Sequence, residues 1–185
     1  MSDIPLFRRY TILDACCLIN LYASGVMESI LNSIPGQVAV VQYVRDKEVR
    51  YIYTDGGGTT SIDLQAFLDK NLLFVVDLEN EREQELVIDL AFLSNGKMGN
   101  GEAYSASIAL YRNWSFGTDD KDTILLLQHH QPQLSIVTTP DLLKHWVDTI
   151  QPPSEVIHDV LENIRRRARY KPHGEHHFYK WWQMH

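Results

Sequence analysis

Short β-favouring runs alternate with helical stripes along this chain, and that alternation limits the possible folds more than any other feature. Tyr10–Leu13 is a β-favouring run, and the apolar helical stripe that follows it stops at Gly25. Val38–Val41 is a continuous apolar run, the form expected of a strand that is buried on both faces. Repeated strand–helix units predict an α/β fold with a mainly parallel sheet and helices on both faces.

The rest of the chain continues this pattern. Apolar periodicity and breaks at Gly, Pro and Asn predict further helices over residues 26–33, 42–49, 63–70, 79–93, 101–112, 121–130, 140–149 and 153–168. Further strands are predicted over 72–76, 114–118 and 134–138, with a hairpin over 50–62 around Gly56–Gly58. For 185 residues without an internal repeat we expect one unit, in which residues 1–150 form a domain and 151–185 add a helix and a tail.

Composition indicates an ordinary globular protein, with 44% hydrophobic and 22% charged residues. The apolar stretches are well short of the roughly 20 residues that a membrane span needs, and the N-terminus lacks the pattern of a signal peptide. Cys16 and Cys17 are adjacent in an apolar run, where a disulfide between neighbours is rare, and we expect them to be packed core thiols. These features predict a cytoplasmic protein with no membrane partner.

Charge is distributed unevenly. The formal net charge is -7, but residues 165–185 carry six Lys or Arg against one acid, a net +5, which leaves -12 on the remaining residues. The basic end contains an arginine cluster at Arg165, Arg166, Arg167 and Arg169, followed by several tyrosines and tryptophans. Cations beside stackable rings suit single-stranded RNA. The alternative is an arm that docks on the body of the protein or on a second subunit, because exposed tryptophans are costly.

Acidic residues stand where ligand sites form in parallel sheets, at the carboxyl ends of the strands. Asp14 follows the first predicted strand, and the Asp119-Asp120 pair follows the strand over 114–118. Glu48 and Glu102 lie on predicted helices that follow a strand and a Gly-rich break. Each acid at a strand end has a structural alternative as the N-cap of the next helix. Carboxylates gathered at one point repel unless a cation neutralises them, and oxygen ligands favour Mg²⁺ or Mn²⁺ over Zn²⁺.

The flanks of these acids resemble, in order, the motifs of the PIN-domain family. The four segments that carry Asp14, Glu48, Glu102 and Asp120 are 11–21, 44–49, the Gly-Glu-Ala helix over 99–110 and the Thr-Asp-Asp strand end over 117–121. Thr138–Leu143 follows where such proteins have a closing strand and helix, so the resemblance covers residues 10–150. Ala15 stands where the family usually has Ser or Thr, the Gly56–Gly58 hairpin lengthens the middle, and residues 151–185 match nothing in the family.

This resemblance implies a PIN-like three-layer α/β/α sandwich and a metal-dependent endoribonuclease that uses Mg²⁺ or Mn²⁺ to hydrolyse RNA phosphodiester bonds. It implies that Asp14 and Asp120 are direct metal ligands and that Glu102 is a third ligand or holds a metal-bound water. Glu48 is then a base or a residue that acts through another group, and Asp119 is a further ligand or a helix N-cap. The segments are most similar to those of VapC-like toxins, which implies a homodimer held in check by an antitoxin protein.

Other functions remain open at this point. One alternative keeps the PIN fold without catalysis, as a binding or scaffold module in a regulatory complex. A haloacid-dehalogenase-type phosphotransferase needs a second aspartate at position 16, where the chain has Cys16. A response-regulator receiver leaves the Gly-Glu-Ala helix unexplained.

Several other acids and histidines are expected to be structural. Asp122 and Asp141 are predicted to be solvated or capping, and His129-His130 to end a helix, where cationic imidazole suits the dipole. The tail histidines, with a His-x-x-His-His pattern and no cysteines, are a weak zinc signal. A solvated acidic face is predicted for Glu79, Glu81, Glu83 and Glu85.

Overall fold

A computed structural model describes residues 6–185, and its centre is a five-stranded parallel sheet. The strands are β1 (Tyr10–Leu13), β2 (Gln37–Val41), β3 (Tyr51–Tyr53), β4 (Thr59–Ser61), β5 (Phe74–Val76), β6 (Ser115–Gly117) and β7 (Ser135–Val137). The sheet order is β5-β2-β1-β6-β7, and β3 and β4 form a separate antiparallel hairpin. The predicted α/β class with a parallel sheet is therefore confirmed.

Nine α-helices connect and flank the strands of the described chain. They are α1 (Ala15–Ala23), α2 (Met27–Ser33), α3 (Gln65–Asp69), α4 (Glu81–Leu93), α5 (Asn100–Arg112), α6 (Lys121–His130), α7 (Thr139–Ile150), α8 (Ser154–Asn163) and α9 (Tyr179–Met184). Two π-helical segments cover Val44–Glu48 and Ile164–Ala168. Within residues 6–185, no helix is long and apolar enough to cross a membrane.

The sheet is covered by two groups of helices. Helix α5 packs across β1, β2 and β6 and against α4, whereas α1, α2 and α7 contact one another. The sheet therefore has helices around it in a three-layer α/β/α arrangement. Residues 12–13, 38–41 and 116 of the central strands are at most 2% exposed. Burial on both faces explains why β2 has a continuous apolar sequence rather than an alternating one.

The order of the strands creates one crevice at their carboxyl ends. From β1 the chain proceeds to β2 on one side, and it later returns to place β6 on the other side of β1. The connection after β1 leads towards β2, and the connection after β6 leads towards β7 at the opposite edge of the sheet. The loops after β1 and β6 therefore diverge. Such a topological switch point is where open α/β sheets bind ligands. Asp14 follows β1 and Asp119-Asp120 follow β6, so three predicted site residues border the same crevice.

The acidic face predicted for the start of α4 is wrong at Glu83. This side chain is 0% exposed, and its Oε1 lies 2.6 Å from Nε of Arg112 on α5. Burial raises the pKa of Glu83, but the hydrogen bond and charge of Arg112 outweigh it and hold the pKa below its usual range. The ion pair joins α4 to α5 across 29 residues of sequence. Helical periodicity placed Glu83 among three other acids, and nothing local distinguishes it.

The C-terminal tail packs on the body of the protein. The helix predicted over 153–168 divides into α8 and the second π-helical segment, and α9 was not predicted. Trp182 of α9 is 8% exposed and joins the main hydrophobic core. The structure thus shows the docked arm that was the alternative to a free RNA-binding tail.

Candidate metal centre

Asp14 lies at the base of the crevice with a carboxylate that is almost completely buried. The residue is 3% exposed, and its backbone N–H donates to the Gly117 carbonyl at 2.9 Å, which ties the end of β1 to β6. Although Asp14 occupies the N-cap position of α1, its side chain makes no capping hydrogen bond. The Cys16 thiol donates to Oδ2 at 3.4 Å, and the buried Oδ1 has no hydrogen-bond partner.

The surroundings of Asp14 disfavour its charged form. Burial, together with the negative charges of Glu102 and Glu48, raises the pKa of Asp14 to about 7, although the Ala15 N–H and Cys16 thiol oppose this shift. A buried carboxylate with an unpaired oxygen is costly unless something compensates it. A cation bound beside Oδ1 is one such compensation, and it would restore the ionised form.

Glu48 reaches the crevice from the first π-helical segment. Its Oε1 accepts a hydrogen bond from the Gly101 N–H at 3.2 Å, and burial raises its pKa despite that bond. The contact explains the glycine of the Gly-Glu-Ala segment, because a Cβ at position 101 would overlap the Glu48 carboxylate. A side chain at this position in the first turn of α5 would therefore displace the Glu48 carboxylate.

Glu102 and Asp120 complete the acidic group from the N-termini of two helices. One oxygen of Glu102 accepts from the Gly99 N–H at 2.9 Å at the start of α5. Burial raises the pKa of Glu102, and the charges of Asp120 and Glu48 raise it further, while the Gly99 N–H acts against them. Asp120 is exposed and caps α6, since its Oδ1 accepts from the Thr123 N–H at 2.7 Å. Both acids are thus oriented by backbone groups.

The four acids face one another without converging tightly. None of them belongs to the groups in which three donor atoms of described residues lie within 4.8 Å of one another. Mg²⁺ binds directly to one or two carboxylates and keeps several waters between itself and the others, so such a site does not require three converging carboxylates. The oxygen-only donor set and the unpaired Oδ1 of Asp14 also fit such an ion.

Asp119 differs from the four acids because its oxygens are already engaged. Oδ1 accepts from the Thr139 N–H at 2.8 Å and the Tyr170 hydroxyl at 2.9 Å. Oδ2 accepts from the Asn20 amide at 2.9 Å and the Thr139 hydroxyl at 2.5 Å, and the Cys17 thiol lies 3.6 Å away. This set of donors supports a structural role. The predicted alternative as the N-cap of α6 is wrong, because Asp120 occupies that position.

Several residues of this neighbourhood were not predicted as part of the site. Cys16 contacts Asp14, lies 3.7 Å from the Thr118 hydroxyl and accepts from the Asp119 N–H at 3.2 Å. Cys16 therefore makes polar contacts on the loop after β1, which the methyl side chain of Ala15 cannot make. Asn20 is 3% exposed, and its amide donates to Asp119 and Thr139. In the sequence, the signal for this residue was a polar side chain inside an apolar helical stripe.

The predicted RNA-binding arginines lie in or beside the second π-helical segment, and each has a partner within the chain. Arg165 pairs with Glu162 at 2.5 Å, and Arg166 pairs with Asp55 at the tip of the β3–β4 hairpin at 2.8 Å. Arg167 and Arg169 complete the cluster: the first donates to the Ala23 carbonyl at 3.1 Å, and the second lies 3.6 Å above the Tyr53 ring. These contacts hold the hairpin and the end of α1. Arg165, Arg166 and Arg169 are nevertheless exposed.

A solvent-filled cavity adjoins the acidic group on one side. It has a volume of about 330 Å³ and is lined by residues of α6, including Asp120, and of the loop after α4, including Lys97 and Met98. One exposed lysine, Lys97, therefore lines the same cavity as one of the four acids, Asp120. Such a cation is suited to contact an anionic group next to a carboxylate site.

Neither a protein-family model nor a curated protein sequence matches this chain. The PIN resemblance therefore depends on the four acidic segments and their order.

Proposed function

We propose that this protein is a metal-dependent ribonuclease of the PIN kind, which hydrolyses RNA phosphodiester bonds at the crevice between β1 and β6. The observation that carries the proposal is the buried Asp14 carboxylate, whose Oδ1 has no partner and which is faced by the charges of Glu48 and Glu102. A bound cation would keep this carboxylate ionised, and its position at the switch point gives that cation access to a ligand.

Each acid has a defined part in this proposal. Asp14 holds the ion through its unpaired oxygen, and Asp120 faces it from the exposed end of α6. Glu102 and Glu48, fixed by the Gly99 and Gly101 N–H groups, orient water and accept its proton. A bound Mg²⁺ or Mn²⁺ supplies a water of lowered pKa and neutralises the phosphate.

RNA as the substrate rests on the PIN resemblance, and the charge distribution is compatible with it. Lys97 stands beside Asp120 in the adjoining cavity, where it can contact a phosphate. The exposed arginines of the 165–169 segment offer a second contact for the RNA backbone. The resemblance to VapC-like toxins extends the proposal to a toxin–antitoxin pair, with a homodimer and an antitoxin protein as partners in the cytoplasm.

The test is cleavage of a labelled single-stranded RNA by the full chain with Mg²⁺, with Mn²⁺ and with a chelator. We expect metal-dependent cleavage that Asp14→Asn reduces at least about a hundredfold, because the negative charge of the carboxylate ligand is lost. Asp89→Asn is the matched control, since Asp89 is an exposed carboxylate on α4. Equal cleavage by wild type and Asp14→Asn would overturn the proposed mechanism.

The second candidate function is a PIN-fold binding module without catalysis. The donors that occupy Asp119 favour it, because they leave fewer free carboxylate oxygens in the crevice than the resemblance implies. The same assay separates the two functions if RNA binding is measured in parallel. A module of this kind retains metal-dependent RNA binding in the wild type while no cleavage product forms.

A further inference from the structure

The start of α7 and the tail segment before α9 bring together three metal-binding side chains. Nε2 of His177 lies 2.8 Å from Oδ1 of Asp141, and one donor atom each of Asp141, His176 and His177 lies within 4.8 Å of the other two. The His176 and His177 rings are stacked, with centroids 4.4 Å apart. Asp141 lies 35 and 36 positions before the two adjacent histidines, so the cluster is produced by docking of the tail.

Hydrogen bonds hold the Asp141 carboxylate in one orientation, as expected of a side chain that is preorganised to bind a metal ion. The residue is 4% exposed, and its Oδ2 accepts from the Thr138 N–H at 2.8 Å and from the Thr138 hydroxyl at 2.6 Å. The bond from the Thr138 N–H, together with that from the Asp141 N–H to the Thr138 hydroxyl, forms the capping box of α7, and Oδ1 remains directed at His177. Hydrogen bonds of this kind orient a ligating carboxylate and are typical of metal sites.

The surroundings leave room and access for an ion. A cavity of about 350 Å³ adjoins the cluster and is lined by Asp141 and the histidines 173, 176 and 177. The His177 side chain is 65% exposed, so solvent reaches the cluster directly. Glu175 pairs with Lys121 at 2.7 Å, which fixes the loop that carries both histidines.

We propose that Asp141, His176 and His177 form a second metal site, which takes a borderline divalent transition-metal ion such as Zn²⁺. Two imidazoles and one carboxylate are a donor set that suits Zn²⁺ and related ions, whereas Mg²⁺ prefers oxygen alone. The remaining positions belong to solvent from the cavity. The ion would fasten the tail to α7, and this proposal does not depend on the ribonuclease activity.

Ion binding requires a small rearrangement of the docked tail. Ligands of a tetrahedral Zn²⁺ lie roughly 3.4 Å apart, so His177 and Asp141 must separate by about half an ångström. In the metal-free arrangement His176 Nε2 lies 2.9 Å from the Thr138 hydroxyl, and its Nδ1 accepts from the Phe178 N–H at 3.1 Å. Coordination through Nε2 exchanges both hydrogen bonds for the bond to the ion and moves the ring proton to Nδ1.

The test is titration of the full chain with Zn²⁺ in competition with a chromophoric indicator, in excess Mg²⁺ to occupy oxygen sites. We expect one equivalent of Zn²⁺ to bind, with an affinity that His177→Ala lowers at least about tenfold. Co²⁺ in place of Zn²⁺ should give visible absorption bands that His176→Ala weakens. Because His177 is exposed, its replacement leaves the fold intact, which circular dichroism checks.

The matched control is the double variant His129→Ala/His130→Ala. These two histidines are also adjacent and exposed, with ring centroids 4.7 Å apart at the end of α6. We expect this variant to bind Zn²⁺ like the wild type. The proposal is overturned if the wild type binds no Zn²⁺ saturably, or if His177→Ala binds Zn²⁺ as tightly as the wild type.

Discussion

The Asp14 carboxylate combines three properties that seldom occur together in one residue. It is buried, one of its oxygens has no hydrogen-bond partner, and two further acids face it. Each property destabilises the folded chain when Asp14 is ionised and no cation is bound. The same properties would be relieved by a bound cation. In the proposed ribonuclease, stability and function are therefore opposed at this one side chain.

Without a bound metal ion, the stability of the folded protein should depend on pH through Asp14, which can be measured in the presence of a chelator. The folded pKa of Asp14, about 7, lies above the value of 3.8 of an unperturbed aspartate, so the protonated carboxyl stabilises the fold fully below pH 3.8. That stability is lost as the pH rises through 7, and amounts to about 2–3 kcal/mol between pH 5 and pH 8. Urea unfolding should show this loss in wild type and Asp89→Asn and not in Asp14→Asn. A parallel pH dependence in all three proteins would contradict it.

At the scale of elements, local sequence patterns were enough to predict the strands and the acids that follow them. A β-favouring run ends directly before Asp14, and the strand predicted over 114–118 ends before Asp119. Because parallel strands end at the same edge, these patterns were sufficient to place the acids at the crevice. The contacts of Asp119 were beyond such reasoning, since they come from residues up to 103 positions away. The Glu83–Arg112 pair was missed for the same reason.

The close approach of Glu48 to α5 gives a prediction at this scale. Gly101→Ala places a Cβ on the Glu48 carboxylate and displaces it, so we expect RNA cleavage to fall about tenfold or more. Far-ultraviolet circular dichroism should be unchanged, because alanine favours the helix. Gly56→Ala is the control, since a Cβ there meets nothing within 4 Å. Full activity of Gly101→Ala would show that Glu48 has no part in cleavage.

At the scale of the whole molecule, the tail and the crevice form one structure. Tyr170 stands where the chain leaves the second π-helical segment, and its hydroxyl donates to Asp119 beside the acidic group. Beyond it, Trp182 enters the core and His177 pairs with Asp141. The sequence indicated that the tail was basic and aromatic, but composition does not specify which surface such a segment contacts. Only the assembled fold shows that the tail supports the loop after β6.

Tyr170→Phe tests this connection. It removes a hydrogen bond to a carboxylate and leaves Asp119 with one donor fewer, so we expect a loss of about 1.5–3 kcal/mol in the free energy of unfolding. Tyr111→Phe is the control, because Tyr111 is 50% exposed. Chemical denaturation of the full chain measures both variants. If they unfold alike, the tail contributes little to the loop that carries Asp119 and Asp120.

The measurement that tests the central claim most directly is a titration of Mn²⁺ binding at Asp14. Electron paramagnetic resonance of the free ion monitors the binding. The titration is made in the His177→Ala background, so that the tail histidines do not contribute. We predict that the parent binds one or two Mn²⁺ ions that Mg²⁺ displaces, that Asp89→Asn binds equally, and that Asp14→Asn binds at least about tenfold more weakly. Equal Mn²⁺ affinity with and without Asp14, or no binding by the parent, would contradict the account.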